Sequence, residues 1–463
     1  MLDAVRTVSP VDGSLYLERP FTPLAEALGK FVQARKAQAE WRLVPLAERI
    51  AKVGRMIDRL VAERDIIGHE LTWQMGRPLS QTPGEIDGMA LRARHMMAIA
   101  PSALADLAPD AALGGGKRRI RREPVGVVLA ISPWNYPYLT TINVLVPALL
   151  SGNAVVLKPS PQTPLAGERL AKAAEGILPN ALVQCLHLSP EVTLELIARG
   201  PLDHVAFTGS VANGRLVEKA AAGRFLGVGL ELGGKDPAYV RADADLEKAV
   251  EGLVDGAFFN AGQSCCSIER IYVDRDRHDS FVEAFVGLTR QYVLGNPLDQ
   301  ATTLGPVVGA EAAERIQGEI ALAVRDGARA LISVGEFPAA AVGTAYVAPQ
   351  VLTDCRQDMG IVQNETFGPV VAILPVDGDD QAVAMMNDSA YGLTASLWTG
   401  DEDVAWQLAD RLDTGTVFLN RCDVLDPALV WGGVKDTGRG GTLSALGFDA
   451  FTRAKSFNFN VSA

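Results

Sequence analysis

Two periodicities alternate along the chain. Between residues 23 and 104 apolar side chains return at every third and fourth position in stretches rich in Ala, Leu, Arg and Glu, and this spacing predicts helices. Pro45 interrupts the run from Leu24 to Met56 and is expected to open a second helix; the pattern continues at 85–99. A loop with Gly114, Gly115 and Gly116 then leads into a basic stretch with strand-like flanks. From Val125 the pattern changes. VGVVLAI (125–131), AVVLKPS (154–160), a short run at 182–188 and HVAFTGS (204–210) read as strands, and residues 142–150, 165–175, 191–197 and 213–222 read as the helices between them. The two prolines of SPWNYP (132–137) are expected to stop regular structure. This alternation predicts βαβ units around a parallel sheet.

A second α/β region begins near Gly234. Residues 244–259, 278–292, 311–326, 382–387 and 401–411 read as helices, and 271–275, 328–335, 370–376 and 416–420 as strands. The tail SFNFNVS (456–462) alternates like a strand, and an edge of that kind is expected to pair with another subunit or domain.

Composition narrows the class. A chain of 463 residues exceeds one core and fits two or three domains. With 48% hydrophobic and 21% charged residues it reads as an ordinary soluble enzyme rather than a disordered chain. A net charge of -12 counts against general binding to nucleic acid or anionic membrane. The basic run Lys117, Arg118, Arg119, Arg121, Arg122 reads as a charged strand edge. No run of about 18 apolar residues occurs, and the start MLDAVRTVSPVDG has no apolar signal segment, so a cytoplasmic protein without membrane partners is expected. Five cysteines form no disulfide framework and five histidines no metal spacing; a reducing compartment and no metal site are expected.

The candidate chemistry gathers around AGQSCCS (261–267). Alone, its cysteine pair reads as buried structural thiols. Glu231, 34 residues upstream in GLELGGKDP (229–237), changes the reading. Apolar neighbours raise the pKa of such a carboxylate and suit it to base work, and the paired glycines after it allow a tight turn or close approach. SPWNYP adds the Asn135 amide at a strand end, and NETFGP (364–369) adds Glu365.

The ordered set PWN, KPS, FTGS, ELGGK, GQxC, NETFGP and a late Gly-Gly-x-Lys resembles the aldehyde dehydrogenase superfamily, from about residue 20 to 460. The resemblance implies an α/β fold in three parts. A Rossmann-type cofactor-binding domain would take 1–105 and 125–233, with a return near 431–448. An α/β catalytic domain would take 234–430, and a small β oligomerisation element 106–124 and 449–463. It implies homodimers or homotetramers and a small-molecule aldehyde as substrate, oxidised to the acid with NAD or NADP. Cys265 would be the nucleophile, passing through a thiohemiacetal and a thioester. Glu231 would be the general base that activates water, and Asn135, with the Cys265 backbone N–H, the oxyanion donor. Lys158 and Ser160 would serve the adenosine ribose, Gly209 and Ser210 the pyrophosphate, and Trp134, Leu232, Glu365 and Phe367 the nicotinamide end. Lys235 matches the ELGGK lysine, whose plainer reading is to fix a loop. Two rivals are a CoA-acylating enzyme, against which Glu231 counts, and a non-enzymatic scaffold, against which the complete set of Cys265, Glu231 and Asn135 counts.

Two departures matter. Many NAD-preferring relatives carry a glutamate where this chain has Pro161, and its absence removes a bar to a 2′-phosphate and so to NADP. The run from Val430 to Gly440 keeps the glycines and Lys435 but lacks the acidic residue after Arg439. Tyr136, Thr140 and Asn143 are expected to face the substrate tunnel, and their polarity points to a polar aldehyde or semialdehyde. Arg421, Cys422 and Asp423 are expected near the tunnel mouth, with Arg421 as a candidate carboxylate clamp.

Overall fold

Short runs of Val, Leu, Ile and Ala that are buried on both faces assemble a six-stranded sheet, which is why they read as continuous apolar runs rather than alternating ones. In the computed structural model, which describes residues 4–109 and 117–459, the spatial order is Val183–Cys185, Ala154–Lys158, Val127–Ile131, His204–Thr208, Gly227–Glu231 and Gly438–Arg439. The first five are parallel and the last closes antiparallel on Gly227–Glu231. The chain visits the sheet outward in one direction, then jumps back past its first strand. The order therefore reverses between Val127–Ile131 and His204–Thr208, and a crevice opens beyond their carboxyl ends.

Pro137 does not end regular structure as expected. It is the first residue of the helix Pro137–Ser151, where a missing N–H costs nothing and the fixed φ suits the turn. Pro45 directly precedes the helix Leu46–Ala62. The helix Thr82–Ala103 packs along Pro137–Ser151, which brings a segment remote in sequence against the residues that follow the first strand.

The second sheet has the order Arg329–Ala330, Gln350–Thr353, Val370–Val376, Ile268–Asp274, Asp236–Val240, Thr394–Trp398 and Thr416–Leu419. The strand expected over 328–335 shrinks to its first residues. Leu331 still gives its N–H to the Val351 carbonyl but shares it with the Gln350 side-chain oxygen, the Gln350 amide takes both backbone groups of Ile332 in place of a strand partner, and Val334–Glu336 forms a 3-10 turn. Each sheet has its own buried core.

The C-terminal strand Thr452–Phe459 pairs antiparallel with Lys117–Pro124 of the same chain, Phe457 opposite Arg119. Its partner is thus the basic run, whose charges meet Asp106 and Asp449 in ion pairs. The expected loop at Gly114, Gly115 and Gly116 and the tail residues 460–462 lie outside the described residues. Among the described residues no helix is long and apolar enough to cross a membrane.

Candidate active site

The crevice at the sheet reversal is a cavity of 430 Å3. Each strand end contributes to it. Trp134 and Asn135 follow the first strand, Lys158 and Ser160 close the second, Gly209 and Ser210 follow the fourth, and Leu232 follows the fifth. Glu365 and Phe367 reach it from the second lobe. All eight residues expected at the cofactor therefore line one cavity. Burial lowers the Lys158 ammonium to about 8. Ser210 caps the helix Val211–Ala221 through its side chain. Gly209 spends its N–H on the Glu231 carbonyl at 3.0 Å, so it shapes the turn rather than offering a donor. The rings of Trp134 and Phe367 meet edge to face at 5.5 Å.

The paired glycines of ELGGK do what close approach requires. A Cβ on Gly233 would overlap the Glu365 carboxylate, and one on Gly234 would overlap the Cys265 carbonyl. Without side chains, the Gly234 N–H reaches Glu365 Oε1 at 2.9 Å. Burial, helped by the Glu269 charge, pushes the Glu365 carboxyl up to about 7. Lys235 forms a buried ion pair with Glu269, whose oxygens also accept the N–H groups of Thr366 and Phe367, each at 2.8 Å. Its plainer role fits: it ties the ELGGK and NETFGP loops together.

A second cavity of 310 Å3 abuts the first and is lined by Tyr136, Thr140 and Asn143, the three expected tunnel residues. Tyr136, Thr140 and Cys265 line both cavities. Arg421 is exposed and does not line the cavity, whereas Cys422 and Asp423 do; the arginine lies just past the strand end, facing solvent. Sequence reading missed Arg77, Glu85 and Arg92 here. They sit in the N-terminal helical region, where helical spacing marks them only as polar positions. Arg77 donates to Glu85 at 2.5 Å, to Asn260 Oδ1 at 3.1 Å and to the Asn135 carbonyl, and lies 4.3 Å over the Tyr136 ring. It anchors the loop that carries Asn135.

Cys265 follows a strained turn. The helix Leu246–Phe258 gives way to Phe259–Gly262, where Asn260 and Ala261 take φ of 53° and 55°. The Asn260 and Asn135 amides both donate to the Gln263 carbonyl, at 3.2 and 3.1 Å. That fixes the Asn135 amide two residues from Cys265 and leaves its second N–H unspent. The two cysteines differ sharply. Cys266 is buried and its thiol donates to Asp423 at 2.7 Å; contact with the Cys265 sulfur, and burial, hold that thiol well above its usual range. Cys265 is half-buried and opens on both cavities. Glu231 stands apart. Its carboxylate accepts from Thr442 at 2.6 Å and Thr208 at 3.3 Å and lines a third cavity that shares Phe207 and Thr208 with the first. Burial raises its pKa, with the two threonine hydroxyls opposing.

A nucleotide crevice at a sheet reversal, joined through one thiol to a small cavity with polar side chains set in a largely apolar wall, defines an oxidoreductase that works on a carbonyl held against that thiol. The chain belongs to the aldehyde dehydrogenase family, whose model matches residues 3–457. It is 34% identical over 455 residues to the 3,6-anhydro-alpha-L-galactose dehydrogenase of Streptomyces coelicolor, covering 97% of this chain and 92% of that one. It is also 34% identical to a Mycobacterium tuberculosis protein named, provisionally, as an NADP-dependent succinate-semialdehyde dehydrogenase, over 96% of this chain and 86% of that one. Betaine aldehyde dehydrogenase of Staphylococcus aureus, solved with NAD+, superposes with a TM-score of 0.94 at 28% identity, over 99% of this chain and 92% of that one. The fold is the α/β fold of the family, with a Rossmann-like nucleotide-binding region, a catalytic domain and a small β-sheet oligomerisation element. The activity is NAD(P)-dependent oxidation of an aldehyde through a cysteine.

Proposed function

We propose that Cys265 is that cysteine and that the substrate is a polar aldehyde or semialdehyde. The carrying observation is that Cys265 is the one cysteine lining both the cofactor and the substrate cavity. The cavity at the sheet reversal fits a dinucleotide: it has a lysine at a strand end, a capped helix N-terminus and a carboxylate at its far side. Lys158, Ser160, Gly209 and Ser210 hold its adenosine and pyrophosphate end, and Trp134, Leu232, Glu365 and Phe367 its nicotinamide end. The bound nicotinamide supplies the oxidant that takes a hydride.

The chain's own residues do the rest. The Cys265 thiolate attacks the formyl carbon, a C–S bond forms, and the carbonyl electrons move to oxygen. The unspent Asn135 N–H and the Cys265 backbone N–H receive that oxyanion. After oxidation a thioester remains; Glu231 takes a proton from water, the hydroxyl adds to the thioester carbon, and the thiolate leaves as the acid forms. Asn135→Ala is expected to lower kcat/KM about 100-fold in initial-rate assays of NAD(P)H formation. A loss below about threefold would remove Asn135 from the oxyanion site.

Pro161 lines the cofactor cavity beside Lys158 and Ser160, where no carboxylate opposes a 2′-phosphate. Pro161→Glu is expected to lower the ratio of kcat/KM with NADP to that with NAD about tenfold. An unchanged ratio would place the 2′ group elsewhere. We assign residues 1–105, 125–233 and the return near 431–448 to cofactor binding, 234–430 to catalysis, and 106–124 with 449–463 to assembly as a homodimer or homotetramer. The substrate class is supported by the polar Tyr136, Thr140 and Asn143 on the second cavity. A panel of aliphatic, aromatic, hydroxylated and carboxylated aldehydes tests it; strong preference for long unsubstituted chains would defeat it.

A further inference from the structure

The two arginines of the substrate cavity are not equivalent. Arg77 is fully committed within the protein, to Glu85, Asn260, Asn135 and the Tyr136 ring. Arg92, on the helix Thr82–Ala103, is half-buried at the same cavity and makes no ion pair among the described residues. Only its Nη1 is engaged, with the Leu139 carbonyl at 3.0 Å and Asn143 Oδ1 at 3.5 Å. The donors on Nε and Nη2 have no protein partner among the described residues and neither is sealed from solvent, and the residue lines the cavity.

A guanidinium held partly out of water costs free energy unless an anion meets it. Burial accordingly lowers the Arg92 pKa, with the charges of Cys266, Glu231, Glu85 and Asp423 opposing only in part. The acidic groups of the cavity do not supply that anion. Glu85 is paired with Arg77. Asp423 is bound to the Cys266 thiol, and burial pushes its carboxyl up to about 7. Asp255 also lines the cavity, where burial raises its carboxyl pKa, but it forms no ion pair with Arg92. Asn143 steadies one arm of the fork and leaves the edge suited to a planar, two-oxygen partner.

We propose that Arg92 selects the substrate by pairing with a carboxylate at the far end of a small aldehyde whose formyl carbon lies against Cys265. This rests on the polar-aldehyde reading above and narrows it from polar to anionic. A cavity of 310 Å3 has room for a short semialdehyde.

The test compares three aldehydes of matched length, one ending in a carboxylate, one in a hydroxyl and one in a methyl, on the whole enzyme and on Arg92→Gln and Arg92→Lys. The wild type is expected to favour the carboxylated aldehyde. In Arg92→Gln the kcat/KM ratio of carboxylated to methyl-ended aldehyde should fall about 30-fold, through KM rather than kcat. Arg92→Lys should restore part of it, since charge without the fork remains. Thermal unfolding and turnover of the methyl-ended aldehyde report whether Arg92→Gln is folded; should it not fold, Arg92→Lys and Arg92→Met carry the same comparison. An equal loss on all three aldehydes would make Arg92 structural and overturn the proposal. So would a wild type that favours the carboxylated or hydroxylated aldehyde with a ratio indifferent to Arg92, which leaves the polar-aldehyde reading standing. A wild type that favours the methyl-ended aldehyde would overturn both.

Discussion

Cys265→Ser is expected to abolish aldehyde oxidation, with kcat lowered on the order of 10^4-fold or more and no burst of NAD(P)H. The reason is local. A cysteine at neutral pH already presents a few per cent thiolate, about 5% or less, and needs no strong base beside it. A serine hydroxyl does, and among the described residues the carboxylates around it are engaged elsewhere: Glu231 is held by Thr442 and Thr208 on a different cavity, Glu365 accepts the Gly234 N–H and Asp423 accepts the Cys266 thiol. A thiolate is also the better leaving group when water attacks the acyl adduct. The substitution removes little packing, because Cys265 is only half-buried, its sulfur in contact with the Cys266 thiol. Thermal unfolding and nucleotide binding by fluorescence should therefore stay near wild type while acid formation vanishes. Cys266 is the internal control. It is buried, spends its thiol on Asp423, and has that thiol held well above its usual range by contact with Cys265 and by burial. Were Cys266→Ser inactive and Cys265→Ser active, the nucleophile would move one residue along the chain.

Sequence legibility divides along physical lines. Strands buried on both faces, such as Val127–Ile131 and Ala154–Lys158, announce themselves as apolar runs, and their alternation with helices predicts a parallel sheet but not the place where its strand order reverses. Gly227–Glu231 did not read as a strand, because two of its five residues are glycines and its pattern is set by neighbours on both sides. Pro137 was misleading because proline ends a helix from inside but opens one at its first position. The residues expected at the cofactor were legible as candidates because they follow strand ends in short motifs, although their order along the chain is not their order around the crevice: Lys158, on the second strand, lies outside Trp134, after the first. Arg77 and Arg92 were not, since only the packing of Thr82–Ala103 on Pro137–Ser151 brings the latter to the cavity, and the former arrives from the loop between two helices. Arg421 shows the converse: proximity in sequence to a cavity-lining residue does not place a side chain in the cavity.

Glu231→Gln is expected to separate the two halves of the reaction. The first turnover, which ends with NAD(P)H and a thioester on Cys265, should give a burst close to one equivalent per site. Steady-state kcat should then fall about 100- to 1000-fold, because water must attack the thioester without a base. Glutamine keeps the shape and accepts from Thr442 and Thr208 through its carbonyl oxygen, so the substitution removes charge and basicity but not the local fold. The pH profile supplies an independent check. Burial raises the Glu231 pKa, and the base works only when ionised. As pH falls through that raised value the carboxylate is protonated and deacylation slows, so the acid limb of kcat lies above the ordinary carboxylate range in the wild type and disappears in Glu231→Gln. The hydrogen bonds to Thr442 and Thr208 favour the ionised form and keep the limb from rising further. They also hold the carboxylate away from the cavity that contains Cys265, so it must release both hydroxyls to reach the thioester or act through a water. A steady-state rate unchanged from wild type would exclude Glu231 as the base; loss of the burst itself would shift its work from activating water to deprotonating the Cys265 thiol.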